Sequence, residues 1–197
     1  MTIQTATGFL LLSALVVAAP AAAADDQRET FMATVVGGAN MRLPGTGTFS
    51  ITMNIDRFTP VEERKRLLTV LKESGKDALL KEMRKLRAGY IVPPPIVRWP
   101  SWEVDVASSF DTPSGGRVVR LFTERPIAFA EAYLDTRSRD FEFGVVELRL
   151  NEKGEGEGTV IPAASISFDK EGRLVFETTP FATGPYKLIG VREWKKK

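Results

Sequence analysis

The sequence predicts an α+β fold: mainly antiparallel β, a barrel or two-layer sandwich of about nine to ten strands, with one helix–break–helix insertion at about 60–88. Two patterns carry this expectation. The first is strict period-two alternation, strongest between Phe141 and Phe176, where three consecutive antiparallel strands are written with their turns between them. Val146, Leu148 and Leu150 share one face, with Val145, Glu147 and Arg149 on the other. Val160, Pro162, Ala164, Ile166 and Phe168 form the row of the next strand. The glycine-rich stretch Asn151–Gly158 and the tight Asp169–Gly172 connection supply the turns. The second pattern is helical periodicity confined to the 60–88 segment.

In chain order, residues 31–37 and 47–57 read as an opening hairpin around a Gly- and Pro-punctuated loop at 38–45. Phe49, Ile51, Met53 and Ile55 face inward, and Ser50, Thr52, Asn54 and Asp56 face outward. Thr59 and Glu62 have capping-box spacing, and Pro60 sits where a first helical residue belongs. The helix runs to about Ser74, and Gly75 interrupts it. A second helix carries Leu79, Met83, Leu86 and Tyr90 on one stripe and ends at Gly89. Pro93, Pro94 and Pro95 impose an extended connection or a sheet edge. Trp102, Val104, Val106, Ser108 and Phe110 alternate along a strand that turns at 112–116 into Arg117–Thr123. Strands are also expected over 127–133 and 186–194.

Composition narrows the chemistry. The chain of 197 residues contains no cysteine and no histidine. Disulfides, lipidated cysteines, Ser-His-Asp and Cys-His machinery, and imidazole-based metal sites are therefore out of reach. Gly8–Val17 is a short apolar run, and Ala22 and Ala24 before Asp25 fit signal-peptide cleavage after Ala24, although no Lys or Arg precedes the run. The expectation is a periplasmic or secreted bacterial protein: signal peptide 1–24, then a single β-rich domain at 25–197, with no transmembrane segment after cleavage.

Two stretches stand out as candidate binding surfaces. Between Pro60 and Ala88, nine cationic side chains face five acidic ones, among them Lys81, Arg84 and Lys85. Such a face attracts an anionic envelope component or an acidic protein partner; its plainer reading is a solvated outer helix face. Nucleic acid is not expected, because no base-stacking aromatics lie among these charges. The second stretch, Tyr90–Glu103, combines Tyr90, Arg98, Trp99, Trp102 and Glu103 with a proline run, a rigid aromatic segment suited to a sugar ring or a peptide. Its plainer reading places Trp102 in the core. Glu103 and Asp105, at i and i+2, alternate onto one strand face about 7 Å apart, a spacing compatible with paired-carboxylate chemistry, though such pairs are commonplace on outward strand faces.

Two other motifs carry no chemistry. Asn151–Gly158 lacks the ligand spacing of a calcium loop and reads as a turn. Ser167 and Lys170 match S-x-x-K, but on a strand rather than a helix the two side chains splay apart. No cofactor or metal is expected.

The segments FMATVVG at 31–37, the 47–59 stretch, GKDALL at 75–80, RSRDFEFGVVELRL at 137–150 and GEGTVIPAA at 156–164 resemble a family of exported bacterial proteins of unknown function. The resemblance implies one exported domain and assigns no site residue. The function expected from the residues is an exported non-enzymatic envelope or extracellular binding or structural domain. The alternatives are a metal-independent carboxylate-based hydrolase or lyase acting on a glycan, drawing on Glu103, Asp105 or Glu131, and a β-barrel carrier of a small apolar ligand.

Overall fold

The computed structural model describes residues 28–37, 48–94, 100–127, 142–168, 172, 174–178 and 185–194. The expected signal peptide, the 38–45 loop, Arg98, Trp99, Glu131 and the expected strand beyond Ile127 lie outside them. The described chain is mostly antiparallel β with a single broken helix. Its elements are β1 (Glu29–Val36), β2 (Thr48–Ile55), α1 (Val61–Met83), β3 (Gly89–Val92), β4 (Trp102–Val104), β5 (Val106–Asp111), β6 (Arg117–Thr123), β7 (Phe143–Leu150), β8 (Glu155–Phe168), β9 (Leu174–Thr178) and β10 (Tyr186–Glu193).

Nine of these strands follow one path, β4-β3-β2-β1-β10-β8-β7-β6-β5, while β9 pairs with β8 off that path. The path begins on β4 and ends on β5, which only Asp105 separates. One bent strand therefore serves as both first and last, and the sheet curls into a nearly closed barrel rather than an open sandwich. The two sides of the seam are held differently. Three residues of β4 pair with β3, from Gly89↔Val104 to Ile91↔Trp102, whereas β5 pairs with β6 from Val106↔Phe122 to Asp111↔Arg117.

Alternation decides what fills the barrel. Phe31 and Val35 from β1, Ile51, Met53 and Ile55 from β2, and Val146 and Leu148 from β7 are all buried in one cluster. Members from β3, β4, β5, β6, β8 and β10 complete it, so side chains from all nine path strands meet inside. The inward rows expected for β2 and β7 are therefore the rows observed.

The insertion folds across the outside. Gly75 has φ 80 and ψ −174 inside α1, a break that glycine adopts without steric cost. Sixteen residues of straight helix would rise about 24 Å. Instead, Arg66 Nη1 meets Glu82 Oε2 at 2.9 Å, so the two halves turn back on each other. Leu67, Leu71, Leu79, Leu80 and Met83 then form a second cluster with Val106, Phe143 and Ile166 of the sheet. The helix–break–helix reading holds, with two corrections. Thr59 does not cap the helix: Pro60 takes the cap position with no side-chain cap bond, while the Thr59 hydroxyl accepts from Ala107 N at 3.1 Å. Tyr90 does not continue the helical stripe. Turn bonds from Lys85 N to Glu82 O and Leu86 N to Met83 O end the helix, and Tyr90 enters β3 opposite Asn54.

The glycine turn is also shorter than its sequence reads. Asn151 closes it by accepting from Lys153 N and Glu155 N on its side-chain oxygen, and β8 begins at Glu155. Gly156 thus lies within a strand, where a Cβ would collide with the backbone carbonyl oxygen of Arg149 on β7.

At one end of the barrel, Arg117 of β6 reaches across to two strands that are not its neighbours. It donates to both oxygens of Glu29 at 2.8 Å and to Glu193 at 3.1 Å, and its guanidinium stands 5.5 Å from the Phe31 ring centre. Burial works against its charge, but the two carboxylates outweigh burial and raise its pKa. Arg117→Ala strands two mostly buried carboxylates, so a loss of about 3 kcal/mol is expected in urea unfolding. A loss below about 1 kcal/mol would show that the ring of charges does not hold the barrel end.

Candidate functional site

Two places on this scaffold carry unusual electrostatics. One is the seam. Asp105 is 2 % exposed. Period-two alternation would set it beside Glu103, but the strand bends between them. Trp102 and Val104 face the inner cluster, Val106 faces the helix, and Ala107 faces inward again. The bend turns the Asp105 carboxyl into the protein. Its main-chain N–H donates to Phe122 O at 2.9 Å, and its Oδ2 accepts from Glu124 N at 2.6 Å. Asp105 thus stitches β4 to the end of β6 beyond the last rung of the β5–β6 ladder. Burial pushes its pKa up to about 7; the Glu124 N–H opposes this shift, and the Glu124 and Glu103 carboxylates add to it.

The surroundings tie this corner to the insertion. Arg84, just past α1, holds Glu124 at 2.8 Å, which raises the pKa of the arginine. Thr123 is buried, and its hydroxyl accepts from Gly144 N at 3.0 Å, linking the corner to β7.

The other place is the outer sheet face beside the first half of α1. Phe110 is 41 % exposed, although unbroken alternation from Trp102 would have placed it in the core row. The phase slip at Asp105 turns it out. The guanidiniums of Arg64 and Arg120 lie against its ring, 4.9 and 5.5 Å from the centre. Arg120 is balanced by Glu147 at 2.8 Å, whose other oxygen takes Arg149 at 2.9 Å. Arg64 has no acidic partner among the described residues, its Nε is buried without a hydrogen-bond partner, and desolvation lowers its pKa. Glu147 also borders a shallow cleft of about 150 Å³ over β7, β8 and β10, lined by Arg149, Glu157, Thr159, Lys187 and Ile189 among others.

The residues singled out from the sequence fall elsewhere. Tyr90 is 43 % exposed and pairs across the ladder with Glu103, which Arg87 holds at 2.7 Å. Trp102 points the other way and is buried, so it offers no ring to a ligand. Exposed Glu103 and buried Asp105 do not form a facing carboxylate pair. Lys85 pairs with Glu82 and Arg84 with Glu124, whereas Lys81 has no acidic partner among the described residues. The cations of the insertion are thus largely neutralised by neighbouring acids, and Arg64 stands apart as the half-buried exception.

Comparison with family models, with curated proteins and with solved structures finds no match for this chain. Among the described residues, no cluster of acidic side chains has the arrangement of a metal site, and no helix is long and apolar enough to cross a membrane.

The raised pKa of Asp105 fixes a sign. A carboxyl whose folded pKa exceeds its unfolded value of 3.8 contributes stability that is fully present below about pH 4 and lost as pH rises to about 7. Each pH unit in that window costs up to about 1.4 kcal/mol. Asp105→Asn keeps an acceptor for Glu124 N without the charge. It is expected to be more stable than wild type in urea at pH 8 and nearly equal to it at pH 4. Parallel pH–stability curves for the two proteins would contradict the assignment.

Proposed function

We propose that this chain is an exported, non-enzymatic binding domain that holds an anionic component of the bacterial envelope or extracellular space on the outer sheet face beside the insertion. Arg64, Phe110 and Arg120 are its central contacts. The observation that supports this reading is Arg64: a guanidinium that cannot shed its charge, partly desolvated, set against an exposed ring and lacking an acid among the described residues. A carboxylate or phosphate group supplies the missing partner, and Phe110 offers the adjoining apolar contact. Arg149 and Lys187, farther along the cleft, extend the contact toward an elongated ligand.

The paired-carboxylate enzyme reading draws no support from Glu103 and Asp105, one exposed and ion-paired, the other enclosed. The apolar-carrier reading needs interior space where side chains from all nine path strands already meet.

The test is titration of Asp25–Lys197 with an acidic oligosaccharide and, separately, with vesicles containing phosphatidylglycerol; neutral oligosaccharide and neutral vesicles serve as controls. Binding to one anionic probe is expected, weakening as salt rises. Arg64→Ala should weaken it by about tenfold or more, consistent with loss of a charge-assisted contact. Lys81→Ala should change it little. Equal affinities for wild type and Arg64→Ala, or no binding to either probe, would reject the reading.

A further inference from the structure

The seam carries a second consequence, independent of the outer face. Asp105 occupies the one residue at which the first and last strands of the sheet path are continuous. Its two hydrogen bonds to Phe122 O and Glu124 N extend the strand contacts there past the β5–β6 ladder. On the β4 side the ladder is three residues long, with Ala88 N donating to Val104 O at 2.8 Å beside it. Charged groups converge on this corner from every side. Glu103 comes from β4, with Arg87 on it; Glu124 and Arg125 follow β6; Arg84 follows α1 and holds Glu124; Glu142 precedes β7 and is held by Lys76. Four carboxyl groups thus share one neighbourhood, and Asp105 is the one among them whose whole residue is buried.

We propose that Asp105 is a proton-linked latch on the barrel seam: with its carboxyl neutral the corner stays shut, and with the carboxyl ionised the corner opens locally without unfolding the barrel. Opening would separate Asp105 from Glu124, and with it loosen the Arg84 tie that anchors the end of the insertion. The β3–β4 ladder beside the corner has three rungs, the fewest of the described ladders, which places that side at the low end of local stability. The β1–β2, β1–β10 and β7–β8 ladders contain no part of the corner. The titration falls near neutral pH, since burial raises the Asp105 pKa to about 7.

The experiment is hydrogen–deuterium exchange of the full chain between pH 5 and 8.5, corrected for intrinsic exchange, on wild type and Asp105→Asn. In wild type, peptides covering 84–91, 102–107 and 121–127 should lose protection by about tenfold per pH unit between pH 5 and 7, then level off. Asp105→Asn should hold its protection throughout, and β1, β2 and β10 should not change in either protein. Equal behaviour of the two proteins, or a loss spread evenly over the barrel, would overturn the latch. Should the variant fail to fold, carboxyl-carbon NMR titration of wild type decides. A midpoint near neutral pH, followed by the Glu124 amide, is expected, and a carboxyl in one state from pH 5 to 8.5 refutes the proposal.

Discussion

The fold depends on one strand serving twice. Trp102–Val104 completes the sheet on one side and Val106–Asp111 completes it on the other, so the geometry at Asp105 determines whether the sheet meets itself. A regular strand keeps its faces for its whole length. This one exchanges them: Val104 and Ala107 both reach the inner cluster, while Val106 between them packs under the helix. That exchange lets the same strand line the barrel and also carry the insertion. It explains why Thr59, at the start of the insertion, is held by Ala107 from both its backbone and its hydroxyl.

The protein settles its enclosed charges in three ways, and the chemistry of each group dictates which. Arg117 keeps its charge and is given two carboxylates and a ring face. Asp105 has one backbone donor and acidic neighbours, an arrangement that favours its neutral form, because a carboxyl can take up a proton. A guanidinium has no such escape. Arg64 is therefore left with the π face of Phe110 and whatever approaches from outside, which is why it, rather than the more numerous paired cations of the insertion, anchors the functional reading.

Much of the architecture was readable where one physical rule acts alone. β2 buries one face, so its alternation names its inner residues; Val146, Leu148 and Leu150 of β7 likewise keep to the inner cluster, and Gly75 breaks a helix that nothing else interrupts. The misreadings arose where a distant partner overrode a local pattern. Thr59 has capping spacing, but its hydroxyl is taken by Ala107; Tyr90 continues a helical stripe, but β2 pairs with it; Gly156 resembles turn punctuation, but the β7 backbone requires it. The site was less readable for the same reason. Nothing local separates Arg64 from its cationic neighbours, because the ring that distinguishes it arrives on β5. In the sequence Asp105 stands only as a companion to Glu103, from which the bend removes it.

The pairing of β1 with β10 has a consequence for how the chain comes into being. These strands stand side by side in the middle of the sheet path, yet every element from β2 to β9 lies between them in the sequence. During synthesis β1 can zip to β2 early, but its other edge must wait until β10 has been made. Until then that edge offers unpaired backbone groups to any passing strand. Closure between such remote segments is intrinsically slow. The arrival of β10 thus turns an aggregation-exposed ribbon into a barrel, so loss of β10 would damage β1 as surely as β8.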